Sequence, residues 1–294
     1  MNKVLAFIMV LLPLAVCAQA RVVEPAPKML EDFPYDSTTN YVKKEQIRCL
    51  VGQELQVLPL REYDQREGYR YIVKGKKEFP SFFTKIGYDD LLDKIFKCTD
   101  AFSREKNGLC DYYLELKDNS NGELYCYKFS EARNDFYFLV LGYKEKFERD
   151  CRGKTFLFKG AALRFYDFNT GKKVVAEPKQ QYVFQEMIFN SKDNELGFLF
   201  TDGQSHLLCF DEFQIKHSLV EKSIIDRYTS LYGQSSVNGA LEGVIWAGMP
   251  VELLLLSRGK PDKKNRASFG EQWVYGKYAT TCVYIEDGKV TAWN

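Results

Sequence analysis

From Cys49 onward the chain reads as short apolar runs, many of them alternating with polar positions and separated by Gly, Asn and Asp at hairpin spacing. Residues 110–117 and 123–129 flank Asp118-Asn119-Ser120-Asn121-Gly122, a strong turn cluster. Residues 163–168 and 172–176 flank Asn169-Thr170-Gly171, and residues 196–201 and 206–210 flank Asp202-Gly203-Gln204. Between these hairpins, residues 136–141 form a compact apolar strand. Helical spacing is sparse. Residues 89–95 suit a short turn. Residues 218–232 suit an amphipathic helix, with Leu219, Ile224, Ile225, Tyr228 and Leu231 near one face and Gly233 as a stop. The fold class expected is mainly β (α+β overall): two or three small β-barrel or meander units followed by a C-terminal helix-plus-β-hairpin module.

Stacking the runs brings out an internal similarity. Leu50-Val51-Gly52-Gln53-Glu54-Leu55-Gln56-Val57, Asp93-Lys94-Ile95-Phe96-Lys97-Cys98 and Arg152-Gly153-Lys154-Thr155-Phe156-Leu157-Phe158 each open a β stretch. Gly87-Tyr88 and Gly142-Tyr143 precede the second and third phrases. Three divergent copies of a small β unit would explain the pattern. The organisation expected is a signal peptide at 1–20, a flexible leader at 21–45, β units at 46–130 and 131–215, a linker helix at 216–240 and the C-terminal module at 241–294.

The N-terminus sets the compartment. Lys3 precedes an apolar stretch from residue 4 to 16, and Ala18-Gln19-Ala20 is a small-x-small cleavage site, so the chain is read as exported, periplasmic or envelope-associated. Cys17 lies in a partial lipobox in which Val16 occupies a small-residue position, so cleavage after Ala20 is favoured over lipidation. No later segment is apolar enough to span a bilayer. The leader carries Pro25, Pro27 and Pro34. Removing Lys3 with the signal leaves equal numbers of basic and acidic residues, which argues against a nucleic-acid partner. Aromatics make up 15% of the chain, in keeping with β structure.

Seven cysteines follow the cleavage site: Cys49, Cys98, Cys110, Cys126, Cys151, Cys209 and Cys282. An odd number leaves at least one unpaired. Cys98 and Cys110 flank a polar turn and form the candidate disulfide, with fully reduced buried cysteines as the alternative. The two histidines, His206 and His217, restrict catalysis. The functional reading is a Cys–His pair with Cys209 or another thiol, as in papain-like or cell-wall peptidases; the structural reading is two histidines satisfied by backbone. No Cys-x-x-Cys, His-x-x-x-His or calcium-loop spacing occurs, and no cofactor is implied. Val73-Lys74-Gly75-Lys76-Lys77 lacks the context of a P-loop and reads as a basic turn. Asp262-Lys263-Lys264-Asn265-Arg266 reads as a solvated loop.

The last fifty residues hold the clearest order. Gly248-Met249-Pro250 opens a helix, with Pro suited to the first turn. Val251, Leu254 and Leu255 form its apolar stripe, and Gly259-Lys260-Pro261 ends it. Trp273-Val274-Tyr275 and residues 282–286 are strands, and Asp287-Gly288 turns into residues 289–293. On Gly248-Met249, Gly259-Lys260-Pro261, Trp273-Val274-Tyr275 and residues 284–290, this segment resembles the SmpA/OmlA (BamE) family and the related β-lactamase-inhibitor-like modules. The resemblance covers about 50 residues and implies a scaffold or binding module without chemistry. Trp246, Trp273, Tyr275 and Tyr284 are the candidate ligand face; the alternative is that they pack helix against sheet. The function expected is an exported, non-catalytic binding or envelope-structural protein. Its partner would be an envelope protein or glycan. The alternatives are a Cys/His cell-wall hydrolase or an inhibitor of a secreted enzyme.

Overall fold

The computed structural model describes residues 28–294 apart from 33, 76–78, 82, 107, 131–135, 160–163, 176–179, 191–194, 211, 268–269 and 277–280. The expected signal peptide, Cys17 and the leader up to residue 27 lie outside the described residues. The chain is mainly β, with curled half-barrel sheets and helices concentrated toward the C-terminus.

The first sheet begins with β1 (Lys28–Met29) and continues after a 3-10 helix over Lys44–Leu50. Gly52, at φ +85°, turns the chain into β2 (Glu54–Val57). There follow α1 (Glu62–Gln65), β3 (Tyr69–Arg70), β4 (Ile72–Lys74), β5 (Lys85–Ile86) and α2 (Tyr88–Leu91). The long hairpin of β6 (Ile95–Lys106) and β7 (Leu109–Asp118), then β8 (Leu124–Lys128) and β9 (Phe138–Val140), complete it. Its strand order is β4-β8-β7-β6-β2-β9, with β1 beside the distal half of β6, while β3 and β5 pair separately.

Helix α3 (Leu141–Cys151) leads into a second sheet made of β10 (Thr155–Phe158), β11 (Arg164–Asp167), β12 (Lys173–Val175), β13 (Gln181–Asn190), β14 (Glu195–Thr201) and β15 (His206–Cys209). After α4 (Glu212–Ser218), β16 (Leu219–Glu221) closes it, in the order β12-β11-β15-β14-β13-β10-β16. With β12 set aside, this is the order of the first sheet, strand for strand. The register repeats as well. Gly52 N–H donates to Cys98 O (2.8 Å) and Cys98 N–H to Gln53 O (3.0 Å); Gly153 N–H donates to Phe184 O (3.0 Å) and Phe184 N–H to Lys154 O (3.2 Å). A bulge follows Cys98 in β6 and Phe184 in β13. The next hairpin starts with Asp118 in one sheet and Asp202 in the other, and each carboxylate accepts the backbone N–H two residues on, at 2.8 and 2.9 Å.

The duplication therefore has two copies, not three. Asp93-Lys94-Ile95-Phe96-Lys97-Cys98 runs into β6 inside the first copy, and Gly87-Tyr88 and Gly142-Tyr143 lie at helices α2 and α3. The sheets also divide the chain differently from the 46–130 and 131–215 expected: β9 pairs with β2, and β16 pairs with β10 beyond residue 215. Alternation marks a strand but not its neighbour, so phrases that open strands look alike wherever those strands sit.

Helix α3 joins the copies. Phe147 sets its ring 5.2 Å from Phe184 and 5.0 Å from Phe198, while Tyr143 on the preceding turn is buried among side chains of both sheets. One continuous core results, running from Leu55, Phe96 and Phe138 to Phe165, Phe184 and Phe200. Edge-to-face aromatic pairs fill it, each contributing about 0.5–1.5 kcal/mol beyond its buried area.

The C-terminal module holds α5 (Lys222–Tyr232), α6 (Gln234–Leu241) and α7 (Val251–Arg258), then a four-stranded meander of β17 (Lys263–Ala267), β18 (Gly270–Tyr275), β19 (Thr281–Glu286) and β20 (Lys289–Trp293). Helix α5 follows β16 as α3 follows β9. The expected helix over 218–232 starts late because residues 219–221 are claimed by β10. In α7 the buried positions are Leu253, Leu254 and Leu256, with Leu255 exposed, and Pro250 is the N-cap. The stretch 262–266, expected as a solvated loop, is largely β17, an edge strand whose charged side chains suit a strand with one unpaired side. Asp287 and Gly288, at φ +48° and +73°, make the expected turn. Lys159, just past β10, donates to Leu256 O (2.9 Å) and fastens the second sheet to the C-terminal end of α7.

All seven described cysteines are free. Cys98 lies opposite Leu116 whereas Cys110 lies opposite Glu105, so the candidate disulfide would have to join opposite ends of one hairpin, roughly 20 Å apart at about 3.3 Å per residue. A reducing agent should leave the melting temperature unchanged, and a thiol reagent should modify exposed Cys110 before any buried cysteine. A drop of several degrees on reduction, matching the typical 2–4 kcal/mol of a native disulfide, would contradict the free-thiol arrangement.

Candidate functional site

The four aromatics singled out in the C-terminal module do not share a surface. Trp273 is buried in the module core, its indole N–H donates to Glu271 Oε2 (2.8 Å), and the Lys264 ammonium sits 3.8 Å above its ring. Tyr275, on the same face of β18, donates to Gly259 O (3.3 Å), and burial pushes its pKa up to about 12. Trp246 packs against the same core near Gly239. Tyr284 is on the other face, opposite Gln272, whose amide donates to its hydroxyl (3.1 Å); Asn265 donates in turn to Gln272 (2.9 Å). Three of the four are thus helix-to-sheet packing and the fourth belongs to a polar row on the outer face.

The pairing of His206 with Cys209 is not assembled either. His206 and Cys209 are three apart on β15, so they point to opposite faces: His206 is exposed and Cys209 is 0% exposed. His217 is exposed on α4. Burial raises the thiols of Cys49 and Cys151 to about 11 and those of Cys98 and Cys126 to about 12, the opposite of what a nucleophile needs. Among the described residues no cluster of three His, Cys, Asp or Glu side chains is placed to hold a metal. An open surface depression is lined by Glu62, Tyr63, Gln65, Arg66 and Glu67, all on or beside α1.

A polar network instead gathers around buried Asn40 and Glu212, at the seam where residues 35–42 cross between the sheets. Asn40, 0% exposed, acts as a surrogate strand for β9: its amide donates to Phe138 O (2.9 Å) and its carbonyl accepts from Val140 N–H (2.8 Å). Tyr35 donates to Thr39 O (2.9 Å), and Asp36 accepts from Thr38 N–H (2.9 Å), which holds the Asp36 carboxyl below its usual range. From the second copy, Lys216 donates to Thr38 O and to the buried Glu212 carboxylate (2.6 Å), with its ammonium 5.1 Å from the Tyr143 ring. Tyr143 Oη is buried beside Glu212, with no other hydrogen-bond partner among the described residues; burial first, and the Glu212 charge second, keep its proton firmly bound. Gly142 leaves room here, since a Cβ would come within 3.0 Å of Gln53 Oε1. These groups are paired or held in their neutral forms, an arrangement that ties segments together.

None of Asn40, Glu212 or Lys216 stood out in the sequence, and Tyr143 did so only as half of the Gly142-Tyr143 pair ahead of a repeat phrase. Asn40 lies in a proline-rich stretch without periodicity, and its partners are about a hundred residues away.

The hairpin aspartates carry a pH dependence. At Asp118, 1% exposed, burial alone would raise the pKa, but the Lys94 ammonium (2.5 Å) and Ser120 outweigh it and the carboxyl is held low. Asp202 is likewise lowered, chiefly by the Ser205 N–H. Such carboxylates stabilise the fold above the unfolded value, about 3.9, and lose that contribution as pH falls through the depressed folded value. Asp118→Asn should therefore cost about 1–3 kcal/mol at pH 7. The gap to the parent protein should narrow below about pH 4. Urea melts at pH 7 and pH 3 check this, and a gap that stays constant would count against the pairing.

Fold and seam together define a class: a mainly β, α+β protein of two tandem six-strand units, joined by one helix and followed by a helix-plus-meander module. Comparison with known protein families, characterised proteins and solved structures finds no match to this chain.

Proposed function

We propose that this is an exported, non-catalytic protein of the cell envelope that binds or holds another envelope component, protein or glycan. The observation that carries the reading is the chemical state of its buried ionisable groups. Four thiols are pushed to about 11–12, Glu212 is tied to Lys216, and Tyr143 is locked in its protonated form. A site for general acid–base or nucleophilic work would place at least one such group near its operating pH and open to a substrate. Export rests on residues 1–20, and the resemblance of residues 244–294 to scaffold modules of the SmpA/OmlA family points the same way. That no helix among the described residues is long and apolar enough to cross a membrane is compatible with a peripheral or periplasmic chain.

Cell fractionation of a C-terminally tagged chain tests the localisation. The product should be shortened by the first twenty residues and recovered with the periplasm or envelope; an unprocessed cytoplasmic chain would refute it. A hydrolase activity of the purified mature protein, abolished by one Cys, His, Asp or Glu substitution, would refute the non-catalytic half.

A further inference from the structure

The two copies differ at one edge. In the first, the free side of β6 beyond its bulge is occupied by β1: Lys28 lies opposite Ser103, Met29 opposite Phe102, and Leu30 packs against the core. The shared register makes Ala101 equivalent to Met187, Phe102 to Ile188 and Ser103 to Phe189. Both Ala101 and Met187 are latched from the preceding helix. Arg48 donates to Ala101 O (3.1 Å), and Met187 N–H donates to Glu148 Oε1 (3.1 Å). Past the latch, β13 pairs with β14 through Ile188, Phe189 and Asn190, but no described residue pairs with its other side. Met187 N–H points away from β14, so alternation turns the N–H and C=O of Phe189 the same way. These are the groups that Ser103 presents to Lys28 in the first copy.

We infer that this edge of β13 is a docking site for an extended strand of a partner polypeptide, added antiparallel at Ile188–Phe189 as β1 is added at Phe102–Ser103. Main-chain hydrogen bonds would supply the affinity. Because half-buried Ile188 and Phe189 replace Phe102 and Ser103, the strand it fits is apolar at both facing positions, more so than Lys28–Met29. The inference goes beyond the functional reading above and does not depend on export.

The test uses the chain from residue 21 onward, in which β1 fills its own site, and a synthetic peptide of residues 26–32 carrying a photoreactive group at the Met29 position. Saturable binding is expected with a dissociation constant below about 1 mM. The peptide with Lys28→Val should bind several-fold tighter, and cross-links should map to residues 187–190. Methylating the peptide backbone nitrogen at position 28 removes its hydrogen bond without touching the protein's fold and should weaken binding at least about tenfold, equivalent to 1.4 kcal/mol. Phe189→Pro in the protein should do the same, because the N–H it deletes is not used by β14. Cross-links at Phe102–Ser103, a concentration-dependent dimer abolished by Phe189→Pro, or no binding up to 1 mM would each overturn the assignment.

Discussion

Asn40→Ala should lower the unfolding free energy by about 2–4 kcal/mol, because it strands two buried backbone groups at once, Phe138 O and Val140 N–H. Neither can turn to water, since Phe138 is 1% and Val140 0% exposed. Asn40→Asp should be at least as costly: the carboxylate could still accept from Val140 N–H but would face Phe138 O with a negative charge in a dry setting. Urea unfolding followed by tryptophan fluorescence would show the loss as a lower midpoint at unchanged slope. A cost under about 1 kcal/mol would mean that β9 is held by β2 alone and that Asn40 is incidental.

The second large effect is expected at Gly270→Ala. Gly270 adopts φ +117°, a region that side chains other than glycine scarcely enter, and an added Cβ would come within 2.2 Å of Ile285 O. The obstacle is backbone of the adjacent strand, so β18 and β19 must separate, and the expected loss is about 3 kcal/mol or more. Gly259→Ala is the control. Its φ of +78° with ψ −163° is also a glycine conformation, yet nothing lies within 4 Å of the added carbon, so only a backbone penalty of about 1–3 kcal/mol is expected, smaller than at Gly270. Thermal melts of both variants decide the point. Equal shifts would show that conformation, and not the contact with Ile285, sets the cost.

Local signals in the sequence proved dependable where the structure itself is local. The cluster around Asp118, the Asp167–Gly171 turn and Asp287-Gly288 all became hairpin turns, because side-chain acceptors and left-handed glycines define such turns without outside help. The helix stops at Gly233 and Gly259 were legible for the same reason. Signals failed where a distant partner decides. Residues 219–221 carry helical spacing but are taken by β10, and the charged run at 262–266 forms an edge strand because β18 supplies its pairing partner, with Lys264 set over the Trp273 ring. The seam was invisible for a like reason: the contacts that tie it together, from Asn40 to β9 and from Lys216 to Thr38, join positions about a hundred or more residues apart. The duplication was half legible. Its opening phrases, Gly52 and Gly153 with the strands that follow, are true counterparts, but the strand order that identifies them is a long-range property.

The equivalence of α3 and α5 bears on what each unit is packed against. Helix α3 follows β9 and delivers the chain, through Cys151 and Gly153, into the next copy. Helix α5 follows β16 from the same place in the second copy, yet Gly233 diverts it into α6, and the module that follows buries Leu157 and Val220 of the second sheet in its own core. Architecturally the C-terminal module covers the second unit in the way a solenoid's cap covers a repeat. The helix that leaves each unit is thus the same joint used twice, so a third unit inserted at the β16–α5 junction would meet the same kind of helix that already joins the first two.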